Sequence, residues 1–226
     1  MAFKPSIASS IDDRLLDTAI NQFGRKGIDG ASTRAIATAA GTTMSSITYH
    51  YGGKHGLYLA AARHIADQMG QRMAPALAAS KAASKTRSSK GDGPEAALTE
   101  LLAIIDRFVE VMVHPESAAW ARFIVREQMV PTDAFDVLYG GLMGRLVEHL
   151  STLIVRIGRG QCDAAEARLK TVAIVGQALV FRVARATVLR ATGWTDIDVA
   201  GAAAIRSIIR AHTRAILTNT SGDRGP

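Results

Sequence analysis

Cysteine is nearly absent, and Cys162 stands alone in 226 residues. That excludes a disulfide within the chain and a Cys-rich metal site, and it fits a reducing cytoplasm, the expected location. Aromatic residues make up only 5% while hydrophobic residues reach 48%. The core must then be aliphatic and alanine-rich, which favours helices over sheets. No stretch approaches the roughly 20 uninterrupted apolar residues that a membrane span needs. The opening MAFKPSIASSIDD has no long apolar run, so neither a signal peptide nor an anchor is expected. The chain has no Gly-rich phosphate loop, no nucleophile signature and no His/Cys/Asp/Glu cluster with metal-ligand spacing. His50 and His55 are not at i+3 or i+4, so they form no zinc pair. Glu127 beside Arg126 reads as a structural or ligand-orienting pair, not an acid–base one. The expectation is a protein that is not an enzyme, with no catalytic residue, cofactor, metal or membrane contact.

Basic residues are what the composition has in excess. The net charge is +7 and the sequence pI about 9.9, which fits a polyanionic partner. The excess is spread out, with Lys81, Lys85, Arg87 and Lys90 as basic as any other stretch.

The informative stretch is Ser32 to Leu57, STRAIATAAGTTMSSITYHYGGKHGL. Ser32 is a good N-cap, able to accept from a free backbone N–H. Ile36, Ala37 and Ala40 follow at helical spacing, and Gly41 comes where a left-handed residue ends a helix cheaply. Thr43 can cap a second helix that opens with Met44, Ser45 and Ser46 and turns Ile47 inward. Thr48, Tyr49, His50 and Tyr51 crowd its far end. This spacing predicts a helix, a tight turn and a helix suited to a DNA groove. Small hydroxyl residues let the backbone approach bases and phosphates, and the positive end of the dipole faces the duplex. Tyr49, His50 and Lys54 are the types that hold phosphate oxygens. Ser45, Ser46 and Thr48 can bond to several bases, or Thr48 can touch a thymine methyl.

With Thr33-Arg34, Ile36-Ala37, Ala40-Gly41, Ile47, Tyr49-His50, Lys54 and Leu57 in an ungapped order, the stretch resembles the helix-turn-helix of the TetR family of bacterial transcriptional regulators. The resemblance covers about residues 10 to 70. It implies DNA contacts from Thr33, Arg34, Thr43, Met44, Ser45, Ser46, Thr48, Tyr49, His50 and Lys54. Three positions depart from the family's habit. Thr48 stands where tyrosine is usual, Ser45 where glycine or proline is common, and His55 where an acidic residue follows the lysine. Two of these lie on the reading surface, so the operator cannot be borrowed from relatives. The phrases FIVREQMVPTDAFD and YHYGGKHGLY are similar to a subgroup of the family named for CecR or CerR.

Elsewhere the pattern is helical. Residues 1 to 9 read as a loose arm, and Ser10 as a cap with Asp12 and Asp13 in the first turn. Leu16, Ala19, Ile20 and Phe23 form one apolar stripe that ends at Gly24, Gly27 and Gly30. Leu16, Phe23, Ile36, Ile47 and Leu57 are the expected shared core. A fourth helix starts near Lys54 and runs towards Gln71. Ser84 to Pro94, SKTRSSKGDGP, has no apolar residue and reads as a solvated connector. Further helices are expected from Pro94, over Ser117 to Val130, from an Asp133 cap, over Asp163 to Ala191 and over Asp196 to Leu217, with a frayed tail. The last two are apolar around more than half their circumference, more than a single surface stripe needs. The economical partner is a second copy of the chain, in a four-helix interface.

The expected fold is all-α. An N-terminal three-helix DNA-binding domain over residues 10–70 is followed by a connector over 71–94. A helical effector-binding and dimerisation bundle covers 95–217. The expected function is a dimeric regulator of a palindromic double-stranded DNA operator, a repressor released by an unidentified small molecule. A second reading is the same fold answering to a protein partner or to DNA alone. Aromatics are few, and they gather beside charges in one part of the bundle, the mixture that ligand cavities use. Trp120, Phe123 and Met143 are candidate pocket walls, with Phe135, Tyr139 and Phe181 beside them. Arg126 and Arg185 are candidates to orient a polar or anionic group.

Overall fold

The structure is a computed structural model and describes residues 11–86 and 93–218. The loose arm, the Ser10 cap, residues 87–92 of the connector (with Arg87 and Lys90) and the tail beyond Thr218 lie outside the described residues. Every regular element among the described residues is helical.

The chain divides into two compact units. Within the described residues, the first comprises 11–68 with 118–141, and the second 69–117 with 142–218. The grouping does not follow chain order, because the sixth and seventh helices join the N-terminal ones.

In the first unit, α1 (Ile11–Gly30) leads to α2 (Thr33–Ala40), α3 (Met44–Tyr51) and the start of α4 (Lys54–Thr86). Most of α6 (Ser117–Met129) and all of α7 (Asp133–Leu138) complete it. The apolar stripe of α1 is Leu15, Ala19, Ile20 and Phe23, all nearly inaccessible. Leu16, expected in this core, is only half-buried. Leu15 and Leu16 are adjacent apolar residues, and only the partner helices choose between them. Ile36, Ile47 and Leu57 are fully buried as expected.

The centre of this core is aromatic. The Phe23 ring meets Tyr58 edge-on at 4.9 Å, and Tyr58 lies against Phe123 at 4.7 Å. Tyr58 can be this deep because its hydroxyl donates to Glu127, a carboxylate that is itself 1% exposed. The other Glu127 oxygen accepts from the Thr132 N–H at 3.0 Å and from its hydroxyl at 2.9 Å. Burial, then this bond, raises the Tyr58 pKa. Thr132, and not the expected Asp133, is the N-cap of α7. The helix does not stop at Gly24. It continues to Gly30 through a kink at Gly27, because α6 packs close along it, with Arg122 and Phe123 against Gly24.

In the second unit, α4 runs on to Thr86, well past Gln71. Pro75 lies inside it, on the exposed side, while Met69, Met73 and Ser80 turn inward. A proline interrupts one hydrogen bond, and a continuous buried face offsets that loss. Next, α5 (Pro94–Val113) is buried over most of its surface. Around it stand α8 (Gly144–Ile157), α9 (Ala164–Val183) and α11 (Val199–Thr218), while the short α10 (Arg185–Thr192) packs on α9. The long helix expected from Asp133 is interrupted by a π-helical turn, Tyr139–Met143, at the Gly140-Gly141 pair.

The helix expected over Asp163 to Ala191 is two helices, bent by 77° at Ala184. No glycine or proline marks that break. It is flanked by two anchored arginines. Arg182 is buried and donates from Nε to the Met112 carbonyl at 2.6 Å and from Nη2 to the His114 carbonyl at 2.7 Å. Arg185 pairs with Asp196. The last helix starts at Val199, since Asp198 bonds the Gly201 N–H at 2.8 Å. Among the described residues no single helix is long and apolar enough to cross a membrane.

Candidate nucleic-acid interface

The interface is built by two capped helices and the turn between them. Ser32 Oγ accepts from the Ala35 N–H at 3.3 Å and starts α2. Gly41, at φ 71°, closes it in the left-handed region, and the Thr42 N–H reaches the Ala37 carbonyl at 2.9 Å. Thr43 Oγ1 then accepts from the Ser46 N–H at 3.2 Å and starts α3. Gly52, again at φ 71°, ends α3. The two caps and two glycines set where α3 begins, how long it is and how the chain leaves it. Ile47 is wholly buried and fastens α3 to its own unit.

The rest of α3 faces out. Met44 is 45% exposed and Tyr49 86% exposed, far beyond what a core role would allow. Ser45, Thr48 and His50 are exposed, and Ser46 is half-buried. The Tyr49 ring stands edge-on to His50 at 5.0 Å, and His50 in turn meets Tyr51 at 6.4 Å. These three rings form a braced row on the solvent side. Tyr51 is half-buried, and Asp12 of α1 lies close enough to act on its hydroxyl. Burial, then Asp12 and Asp13, raises its pKa. On α2, Arg34 is exposed and Thr33 half-buried. The structure therefore brings Thr33, Arg34, Thr43, Met44, Ser45, Ser46, Thr48, Tyr49 and His50 onto one helix-turn-helix.

Lys54 has a second attachment. Its Nζ donates to the Asp29 carbonyl at 3.0 Å, tying the start of α4 to the end of α1. An ammonium group has three N–H donors, so two remain for other acceptors. Gly56 has a role the sequence reading missed. A Cβ there would fall 1.7 Å from the Tyr51 carbonyl oxygen, so only glycine allows α4 to follow α3 this closely. The phrase GGKHG was the available signal, since a third glycine just inside a helix is costly without a packing reason.

The expected effector residues fall into two groups. Trp120, Phe123, Arg126, Phe135 and Tyr139 belong to the first unit. There Phe123 is 0% exposed within the aromatic core, Trp120 is buried, and the Arg126 guanidinium lies over Gly27. Phe135 and Tyr139 stack on each other at 5.9 Å. Met143, Phe181 and Arg185 belong to the second unit and are half-buried. One Arg185 nitrogen holds Asp196, while the other, Nη1, is buried without a hydrogen-bond partner. Asp196 has its pKa lowered by the Ile197 N–H first and Arg185 second. Cys162 is buried, and burial raises its thiol pKa.

The comparisons with known proteins agree with this geometry. Residues 15–61 match the family described as bacterial regulatory proteins of the tetR family. Residues 97–219 match the C-terminal domain of the HTH-type transcriptional dual regulator CecR. Over 212 residues the chain is 34% identical to the dual regulator CecR of Shigella flexneri, covering 92% of each chain. It is 41% identical over 64 residues to the regulatory protein RaaS of Mycobacterium tuberculosis, covering 28% of this chain and 30% of that one. Among solved structures, AibR in complex with isovaleryl coenzyme A and operator DNA superposes with a TM-score of 0.64, at 13% identity, over 90% of this chain and 97% of that one. FadR of Bacillus subtilis in complex with stearoyl-CoA superposes at 0.57, at 12% identity, over 92% and 98%. At such identities the structures share the fold.

Proposed function

This chain belongs to the TetR family of bacterial transcriptional regulators, with a C-terminal domain of the CecR type, and we propose that it acts as a homodimeric repressor released from its operator by a small molecule. The family is one of DNA-binding regulators and not of enzymes. The observation that carries the reading is α3 itself. It is capped at both ends, pinned by Ile47 and exposed along Thr48, Tyr49 and His50. In a dimer, two such helices enter successive major grooves, with half-sites about 34–36 Å apart or a multiple of that. Thr33, Arg34, Tyr49, His50 and Lys54 hold phosphates, and Ser45, Ser46 and Thr48 face bases, with Thr43 and Met44 at the helix entrance.

The dimer forms through α9 and α11. Leu169, Val172, Val180 and Val183 are exposed on α9, and Val199 and Ile208 on α11. Apolar side chains in helical register on solvent are the mark of a covered face. The region 95–217 also binds the effector. Arg185 Nη1 supports a polar or anionic contact there, with Met143 and Phe181 as apolar neighbours. Phe123 and Trp120 act as the core beneath the DNA-binding helices. AibR and FadR are complexed with acyl-coenzyme A molecules, so short- and long-chain acyl-CoAs form the first effector class to screen.

The test is selection of bound duplexes from a random pool, with sedimentation of the complex. A palindromic site bound by two protomers is expected. Enrichment of no sequence would overturn the operator reading, and a monomer at micromolar concentration would overturn the dimer. Release of the selected operator by an acyl-CoA, abolished by Arg185→Met, tests the effector class.

A further inference from the structure

Thr48 is the fifth residue of α3, and it is exposed. Its Oγ1 donates to the Met44 carbonyl at 3.1 Å. A threonine hydroxyl has one proton and two lone pairs. Here the proton is committed to the main chain, so towards a duplex the group has nothing left to donate. Guanine presents two acceptors in the major groove, N7 and O6, and adenine presents N7 beside its amino group. While it is bonded in this way the hydroxyl donates to neither, and can only accept from a base amino group. An oxygen 3.1 Å from a carbonyl of its own helix lies back against the preceding turn. The γ-methyl is the other branch at Cβ, and it is not the branch directed at that carbonyl. The neighbouring hydroxyl of Thr43 is used the opposite way. It accepts from the Ser46 N–H and keeps its proton free for a phosphate oxygen.

We infer that Thr48 is a specificity-determining residue that reads a thymine through the base's 5-methyl group, by apolar contact with its own γ-methyl. The inference rests on the DNA-reading role of α3 proposed above and names what one of its side chains selects. It also makes Thr48 unlike its neighbours, since Ser45 and Ser46 have no methyl to offer.

The test uses the full-length protein and its selected operator. Each thymine of the half-site is replaced in turn by deoxyuridine, which removes only the 5-methyl group. One position is expected to lose about fourfold in affinity, the value of one buried methyl-sized group. Thr48→Val, which keeps a methyl and loses the hydroxyl, should retain the deoxyuridine penalty at that position. Thr48→Ser, which keeps the hydroxyl and loses the methyl, should bind thymine and deoxyuridine operators equally. If Thr48→Val abolished the preference while Thr48→Ser kept it, the hydroxyl would be the reader and the inference overturned. An operator with no methyl-sensitive position would overturn this inference alone. A pool that enriches no sequence would overturn it together with the operator reading.

Discussion

The two units use charge and apolar surface in opposite ways. Across residues 11–68 and 118–141 the basic and acidic residues are equal in number, so nearly all the positive excess lies in the second unit. The unit that carries the reading helix is therefore close to neutral. On the proposed reading it offers DNA hydroxyls, rings, a helix N-terminus and a few placed cations. The second unit carries more charge and also shows more continuous apolar surface. Many of its arginines are spent internally, as Arg206 is on Glu110, Arg210 on Asp106 and Arg182 on two carbonyls. Its exposed aliphatic residues run along α9 in register, with Ile208 also exposed on α11, while those of the first unit are scattered. Net charge is thus a poor guide to where a nucleic acid binds. A protein can be basic because of how one domain is assembled.

The contrast can be broken at the buried polar hub of each unit. Glu127→Ala removes the acceptor for the Tyr58 hydroxyl and for two groups of Thr132. It should cost about 4 kcal/mol, the sum of stranded donors at roughly 1–3 kcal/mol each, read by chemical denaturation. Arg182→Met removes two charge-assisted hydrogen bonds, to the Met112 and His114 carbonyls of the second unit, and should cost about 3 kcal/mol, while Ser117 still donates to both carbonyls. If both variants unfolded at the wild-type denaturant midpoint, the hubs would be incidental.

The surfaces come next. Val180 is 47% exposed, so Val180→Glu should leave each protomer folded. It should split the dimer in sedimentation and weaken operator binding on the order of 100-fold through lost bivalency. Retained dimer would move the interface elsewhere. Lys54→Ala should weaken binding to all sequences alike and lower the salt slope by about one phosphate contact. A change in base preference instead would make Lys54 a reader.

The smallest effect is on pH. His149 of α8 is half-buried, with Ser80 Oγ 2.7 Å and Glu100 3.6 Å from its Nε2, and with Lys81 and Arg156 nearby. Burial first, then those two cations, holds its pKa below the ordinary histidine value, and Glu100 only partly opposes them. The unfolded chain then takes up a proton before the folded one does. Stability from this source is full above the unfolded value of about 6.5 and is lost as pH falls from there towards the folded value. Denaturation of wild type and His149→Gln across this range should converge at the acid end, and parallel curves would exclude His149.

The helix-turn-helix was legible in detail because its determinants are local. Ser32, Gly41 and Thr43 each act on backbone groups within four residues, so the sequence alone determines both caps, the turn and the inward face at Ile47. The all-α class and the doubly apolar character of α9 and α11 follow from periodicity in the same way. Only the tertiary structure decided the choices that local propensity leaves level or gets wrong. It put Leu15 rather than Leu16 in the core. It carried α4 through Pro75 and broke the chain at Ala184, where no residue signals a break. It placed Phe123 and Glu127 in the same unit as the helix-turn-helix and not in the other one, and it set the Tyr51 carbonyl where only Gly56 fits. Each depends on an atom far along the chain, a ring, a carbonyl or a guanidinium. Its energy of a few kcal/mol outweighs the smaller local preferences that sequence patterns record.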